Sequence, residues 1–166
     1  MSILLFGKTV CPICNQIITS EAECYSFPAF VVNTLDPLYF FSDCSFHLAC
    51  LLNHPFGERS IAVSKLFIQK ILPSNRICHI GGNLIIKQEN HIFIDLLTSN
   101  SKNDLYQYNF THIDRNNLSQ WRERENVIDQ LAALQGKGNW QEFNGENVYL
   151  ESLIKKLANP STSKSL

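Results

Sequence analysis

"FFSDCSFHLACLLNHP", residues 40–55, sets Cys44, His47 and Cys50 at three-residue steps in an otherwise apolar run, and "CPIC", Cys11 to Cys14, lies well upstream. A Cys-x-x-Cys pair on a tight turn aims two sulfurs at one point, and two further ligands complete the tetrahedron that zinc prefers. On a helix, residues three apart share a face, so His47 and Cys50 offer their donors on one side. Between the two pieces, "FPAFVVN" (27–33) and "PLYFF" (37–41) read as strands joined through "TLDP", a hairpin signal. Ser42 or Asp43 can cap the helix "SFHLACLLN", which His54-Pro55 stops. Knuckle, hairpin and ligand-bearing helix in this order predict one metal ion held by Cys11, Cys14, His47 and Cys50. Cys44 is an alternative ligand: Cys44 to His47 repeats the spacing of His47 to Cys50, and a four-coordinate ion cannot take all three besides the knuckle pair.

"CPIC" and "FHLACL" resemble the first-zinc ligands of treble-clef fingers of the RING and LIM type, in which a Phe-His-x-x-Cys-Leu element opens the helix. The resemblance covers about the first third of the chain and implies a structural zinc on Cys11, Cys14, His47 and Cys50. A RING finger interleaves a second ligand set with the first. Here only Cys44 and Cys24 remain for one, and Ser42 stands where a further cysteine is expected, so the resemblance does not carry ubiquitin-ligase activity with it.

Four protein ligands leave no position for water, so neither a zinc-bound hydroxide nor a Lewis-acid site is expected. Three thiolates, one imidazole and Zn2+ sum to about −1, and binding releases about three protons, taking the formal chain charge from −1 to about −2. A structural zinc contributes on the order of 10–16 kcal/mol to the folding of its peptide, more than a hairpin and a short helix supply alone.

The 166 residues, 45% hydrophobic and 17% charged, fit one globular domain, or one with a small subdomain, and exclude a disordered chain. A net charge of −1 and a pI near 6.5 exclude bulk attraction to nucleic acid or acidic membranes. No run approaches the roughly twenty apolar residues that span a bilayer. "MSILLFGKTVCPICN" lacks a basic leader region and reads as a first strand, residues 3–6, running into the knuckle. Six cysteines are then expected to be reduced, in the cytoplasm, where paired cysteines suggest metal before disulfide.

Downstream, "GERSIAVSKLFIQKI" (57–71) has helical spacing with a stripe of Val63, Leu66, Phe67, Lys70 and Ile71, ended by Pro73. The period then becomes two. "RICHI" (76–80), "NLIIKQ" (83–88) and "HIFIDLL" (91–97) read as strands turned at Gly81-Gly82 and Glu89-Asn90, and "LYQYNFTHI" (105–113) as another. "NNLSQWRERENVIDQLAALQ" (116–135) and "GENVYLESLIKKLAN" (145–159) predict two helices, stopped by Gly136 and Pro160. The expected architecture is α+β: a single-zinc treble-clef lobe with its following helix over 1–73, an antiparallel sheet of three to four strands packed with two helices over 74–160, and a frayed tail over 161–166.

Other chemistry-bearing groups read as structure. Adjacent strand residues face opposite sides, so Cys78 is expected inside and His79 outside. His91 and Asp95, with His112 from a neighbour, are expected on a solvated outer face. Tyr106, Tyr108 and Phe110 lack the flanking cations of a base-stacking platform and are expected in the core. A chain without a catalytic set is expected to be a non-catalytic protein-binding module. Its size and mild acidity resemble, in type, the cytoplasmic immunity proteins that neutralise toxins by direct binding. That implies a protein partner, a toxin domain, met by Glu142, Glu146 and Glu151, with no membrane partner. The alternative is a zinc-finger nucleic-acid-binding or regulatory protein using Lys65, Lys70, Arg76 and Arg59.

Overall fold

The computed structural model describes residues 4–143, 145 and 147–159; Ile3, Glu146, Pro160 and the expected tail 161–166 lie outside them. The described residues mix helix and strand. Two antiparallel two-stranded ladders, β1 (Cys24–Ser26) with β2 (Ser45–His47) and β3 (His91–Ile94) with β4 (Thr111–Asp114), accompany four α-helices. These are α1 (Leu48–Leu52), α2 (Gly57–Lys70), α3 (Arg124–Gly136) and α4 (Val148–Ala158). No helix among the described residues is long and apolar enough to cross a membrane.

The expected sheet of three to four strands is reduced. Among the described residues of 74–160, only β3 and β4 form a continuous ladder, with Ile92 opposite Ile113. The hairpin at Gly81-Gly82 survives as a single Ile77–Leu84 bridge, joined to β4 by one parallel bridge from Cys78 to His112. Ile86, on the expected strand "NLIIKQ", is 84% exposed and pairs with no strand.

Three expected strand segments change for one reason, buried residues three apart favouring turns and 3-10 helix over strand, and two other elements change besides. Phe27 and Phe30 are buried, as are Leu38 and Phe41, so "FPAFVVN" and "PLYFF" form no hairpin with each other. They are the long connection of the β1–β2 hairpin, and Tyr39–Phe41 is 3-10 helix. Leu105 and Tyr108 are likewise buried within the 3-10 segment Asp104–Tyr108, where a strand had been expected. The helix expected over 116–135 breaks into 3-10 Arg115–Gln120, capped by the Asp114 side chain accepting from Asn116 N, and then α3. Residues 5–8 form a turn, with Lys8 N donating to Leu5 O, where the first strand had been expected.

Helix α2 keeps its expected bounds but buries another face. Gly57, Ser60, Ser64 and Phe67 are inside, while Leu66 and Ile71 stay exposed. Small residues are needed because α1 lies close: a Cβ on Gly57 would stand 1.7 Å from Leu51 O.

Two hydrophobic cores result. The first gathers Ile18, Phe27, Phe30, Phe41, Phe46, Leu51 and Phe67, and reaches across to Leu96 and Phe110. The second gathers Ile92, Ile94, Ile113, Trp121, Leu131, Trp140, Leu150 and Leu157 between the β3–β4 ladder, α3 and α4. Asp36 stitches the long connection to the second half, one carboxylate oxygen accepting from Leu38 N at 2.9 Å and the other from Ser99 N at 2.7 Å.

Candidate metal centre

Residues 9–18 form a small hairpin with the CPIC pair at its tip. Val10 pairs with Ile17, Ile18 N donates to Thr9 O, and Cys11 N donates to Gln16 O at 2.9 Å. The tip closes when Asn15 N donates to Cys11 O, which needs Asn15 at φ +57°, a left-handed conformation that asparagine tolerates better than most side chains. Both sulfurs are thereby turned to the same side.

The other two donors come from the β2–α1 junction. His47 ends β2, paired with Cys24 across the ladder, and caps α1; Cys50 is the third residue of that helix. The sequence had suggested that both sit in the helix's first turn. The strand instead claims Ser45–His47, because Phe46 must alternate inward to the first core while His47 faces the knuckle. The ligand atoms of Cys11, Cys14, His47 and Cys50 all lie within 4.8 Å of one another, and Cys14 Sγ is 3.3 Å from His47 Nδ1. A tetrahedron with Zn–S of about 2.3 Å has edges of about 3.8 Å, so small rotations suffice.

The donors' electrostatics are compatible with a cation at their centre. Burial pushes the Cys11 thiol up, but N–H groups of Cys14, His47 and Ile13, with the Cys14 side chain, outweigh it and bring Cys11 down to about 7. Cys50 moves the other way, to about 11, through burial, its hydrogen bond with Cys14 and the charges of Cys11 and Cys14. Three thiols around one point cannot all ionise against one another; a divalent cation removes that conflict and favours every thiolate at once. Four residues that can hold one metal ion, with three sulfurs and one imidazole, form a donor set compatible with a single zinc.

The remaining candidates are dispersed. Cys44 and Cys24 stand outside the four-residue group. Burial and Asp43 push the Cys44 thiol up, burial and Glu21 do the same to Cys24, and Cys24 Sγ donates to Glu21 O. Cys78 is buried and His79 exposed, as expected. The Cys78 sulfur accepts from Asp114 N, Gly81 N and Asn117 Nδ2, and these donors outweigh burial to lower its pKa.

His112 corrects the outer-face expectation, being 3% exposed. Its Nε2 donates to Lys70 O at the end of α2, so its Nδ1 is the acceptor facing His91 Nε2 at 2.8 Å. Asp95 is half-buried, its backbone N–H donating to the Tyr149 hydroxyl. Tyr108 and Phe110 are in the cores, but Tyr106 is 40% exposed, because the 3-10 turn points it away from them.

The described residues thus define a class: a small mixed helix-and-strand protein with one four-residue candidate metal site and two cores. No family model, curated protein or solved structure matches it.

Proposed function

We propose that this chain is a non-catalytic, zinc-containing protein-binding module whose N-terminal part is a single-zinc treble clef. The observation that carries the reading is the four-donor group on a knuckle and a strand–helix junction. Coordination that uses every position on the metal holds the chain and leaves none for a substrate. The hairpin and the turn that precedes it display apolar side chains to solvent: Leu5, Phe6, Val10 and Ile17 are each about half exposed. Apolar side chains displayed on a rigid support favour a protein partner.

The specific form of the proposal is an immunity-type role, neutralising a toxin domain by direct binding. Of the acidic residues first assigned to that contact, Glu142 is engaged inside the fold, accepting from Trp140 Nε1, Tyr149 N and Leu150 N. Glu151 accepts from Gln135 Nε2, and Glu146 lies outside the described residues. The knuckle hairpin is therefore the better contact surface. The test is co-purification of the zinc-loaded chain with the product of any adjacent toxin-like gene. A one-to-one complex weakened by F6D and V10D is expected; failure of the zinc-loaded chain to bind that product rejects the immunity role. Retention on heparin that weakens steeply with salt would favour the nucleic-acid alternative. Its expected cations give that reading little support: Arg59 and Lys65 point about 120° apart around α2, and Arg76 is engaged with Gln88.

A further inference from the structure

A pocket of about 250 Å3 opens where the last two turns of α4 pass the start of the 3-10 segment Arg115–Gln120, lined by Arg115, Ser152, Lys155, Lys156 and Asn159. Every lining side chain is a cation or a neutral hydrogen-bonding group. Among the described residues, none of the three cations has an ion-pair partner, and Arg115 Nε is buried with no hydrogen-bond acceptor. A guanidinium presents a planar fork of donors, and the group best suited to such a fork among clustered cations is an oxyanion.

We propose that this pocket binds a phosphate group, carried as inorganic phosphate or on a small phosphomonoester. Arg115 supplies the directional donors, Lys155 and Lys156 the point charges, and Ser152 a hydroxyl. Three cations match a ligand of about −1.5 to −2 charge better than a single carboxylate.

Two features oppose the ligand and are outweighed. The C-terminal end of α4 carries partial negative charge, which lysines in a last turn ordinarily offset. Here the carbonyl of Lys155 is already capped, accepting from both Asn159 N and Asn159 Nδ2. Lys156 also acts on Asp95, but it still lines the pocket beside Arg115 and Lys155.

The test is an NMR titration of the zinc-loaded full chain with inorganic phosphate and, separately, glycerol 3-phosphate, at ionic strength held constant with chloride. Saturable shifts confined to the Arg115 side chain and residues 152–159 are expected. R115Q should weaken binding by about tenfold or more and K155Q severalfold. Tighter binding of the ester identifies a phosphomonoester as the ligand; exclusion of the ester identifies the free ion. Both lysines are exposed, so K155Q preserves the fold and keeps the test decisive if R115Q does not fold. Shifts that never saturate, shifts reproduced by chloride, or unchanged affinity in both variants would overturn the proposal. So would binding seen only with long polyanions.

Discussion

The first core, around Phe27, Phe41 and Phe46, is walled by three-residue strands, the five-residue α1, α2 and long turns. The second, around Leu131, Trp140 and Leu150, is closed by helices of 13 and 11 residues on a four-residue ladder. Both are dense in buried apolar side chains, but they differ in how the backbone is held. Regular hydrogen bonding orders most of the second core's walls. Much of the first core's wall is connection, so its conformational entropy must be met by cross-links: Asp36, Ser42 and, on the proposed zinc reading, above all the four candidate metal donors. A metal that ties residues 11–14 to 47–50 closes a long loop and restricts the unfolded chain, as a disulfide would.

The largest expected effect follows from that contrast. Chelation, or C11S, should open the first core, since on the order of 10 kcal/mol of metal-linked folding energy is lost. Both tryptophans, Trp121 and Trp140, lie in the second core. Their fluorescence should therefore persist while amide exchange accelerates across residues 9–52. Simultaneous loss of both signals would mean that the cores unfold as one unit.

G57A comes next. The added methyl would meet a backbone carbonyl that cannot rotate away, so urea melts should show a loss of about 3 kcal/mol or more, reported by first-core probes.

The pH response separates the cores in a third way, because two groups beside the β3–β4 ladder titrate in opposition. His112 is held at about 4 chiefly by burial, against the help of the Lys70 carbonyl and with repulsion from His91, Lys70 and Arg76 added. Below its ordinary 6.5 the unfolded chain takes up a proton that the native state refuses, so stability falls between pH 6.5 and 4. Asp95 is raised from 3.8 to about 6 by burial, against the Tyr149 hydrogen bond and Lys156. There the native state keeps a proton that the unfolded chain releases, so stability rises as pH falls through 6 toward 3.8. Each contribution is on the order of 3 kcal/mol and they offset. D95N should raise stability at pH 7 and expose a steep acid loss in tryptophan-monitored melts; H112Q should show the opposite slope.

The smallest effect belongs to Cys44. It stands outside the donor group, so C44A should keep one zinc per chain by elemental analysis and cost about 1 kcal/mol or less. Loss of zinc in C44A would reassign the fourth ligand.

The four donors were legible in the sequence because Cys-x-x-Cys and His-x-x-Cys are local patterns: each pair is aimed by its own turn or helix start, whatever the rest of the chain does. The helices α2, α3 and α4 were legible through their 3.6-residue period and stops such as Gly136. The connection 27–44 was misread because aromatic and β-branched residues suggest strands, while the informative signal was the three-residue step from Phe27 to Phe30 and from Leu38 to Phe41. The buried face of α2 is not the one hydrophobicity singles out, Leu66 and Ile71, because the approach of Leu51 O selects for Gly57 and the face it starts is small and polar at Ser60 and Ser64.

By itself, then, the sequence determined which four residues could hold a metal ion, the long helices and the absence of a long apolar span, all of which depend on residues close together along the chain. Only the tertiary structure decided that Phe46 pulls His47 into a strand, that His112 is buried beneath the end of α2, and that Arg115 meets Lys155 in one pocket. Those outcomes depend on which distant surfaces compete for the same buried volume, and spacing along a chain carries no record of that competition.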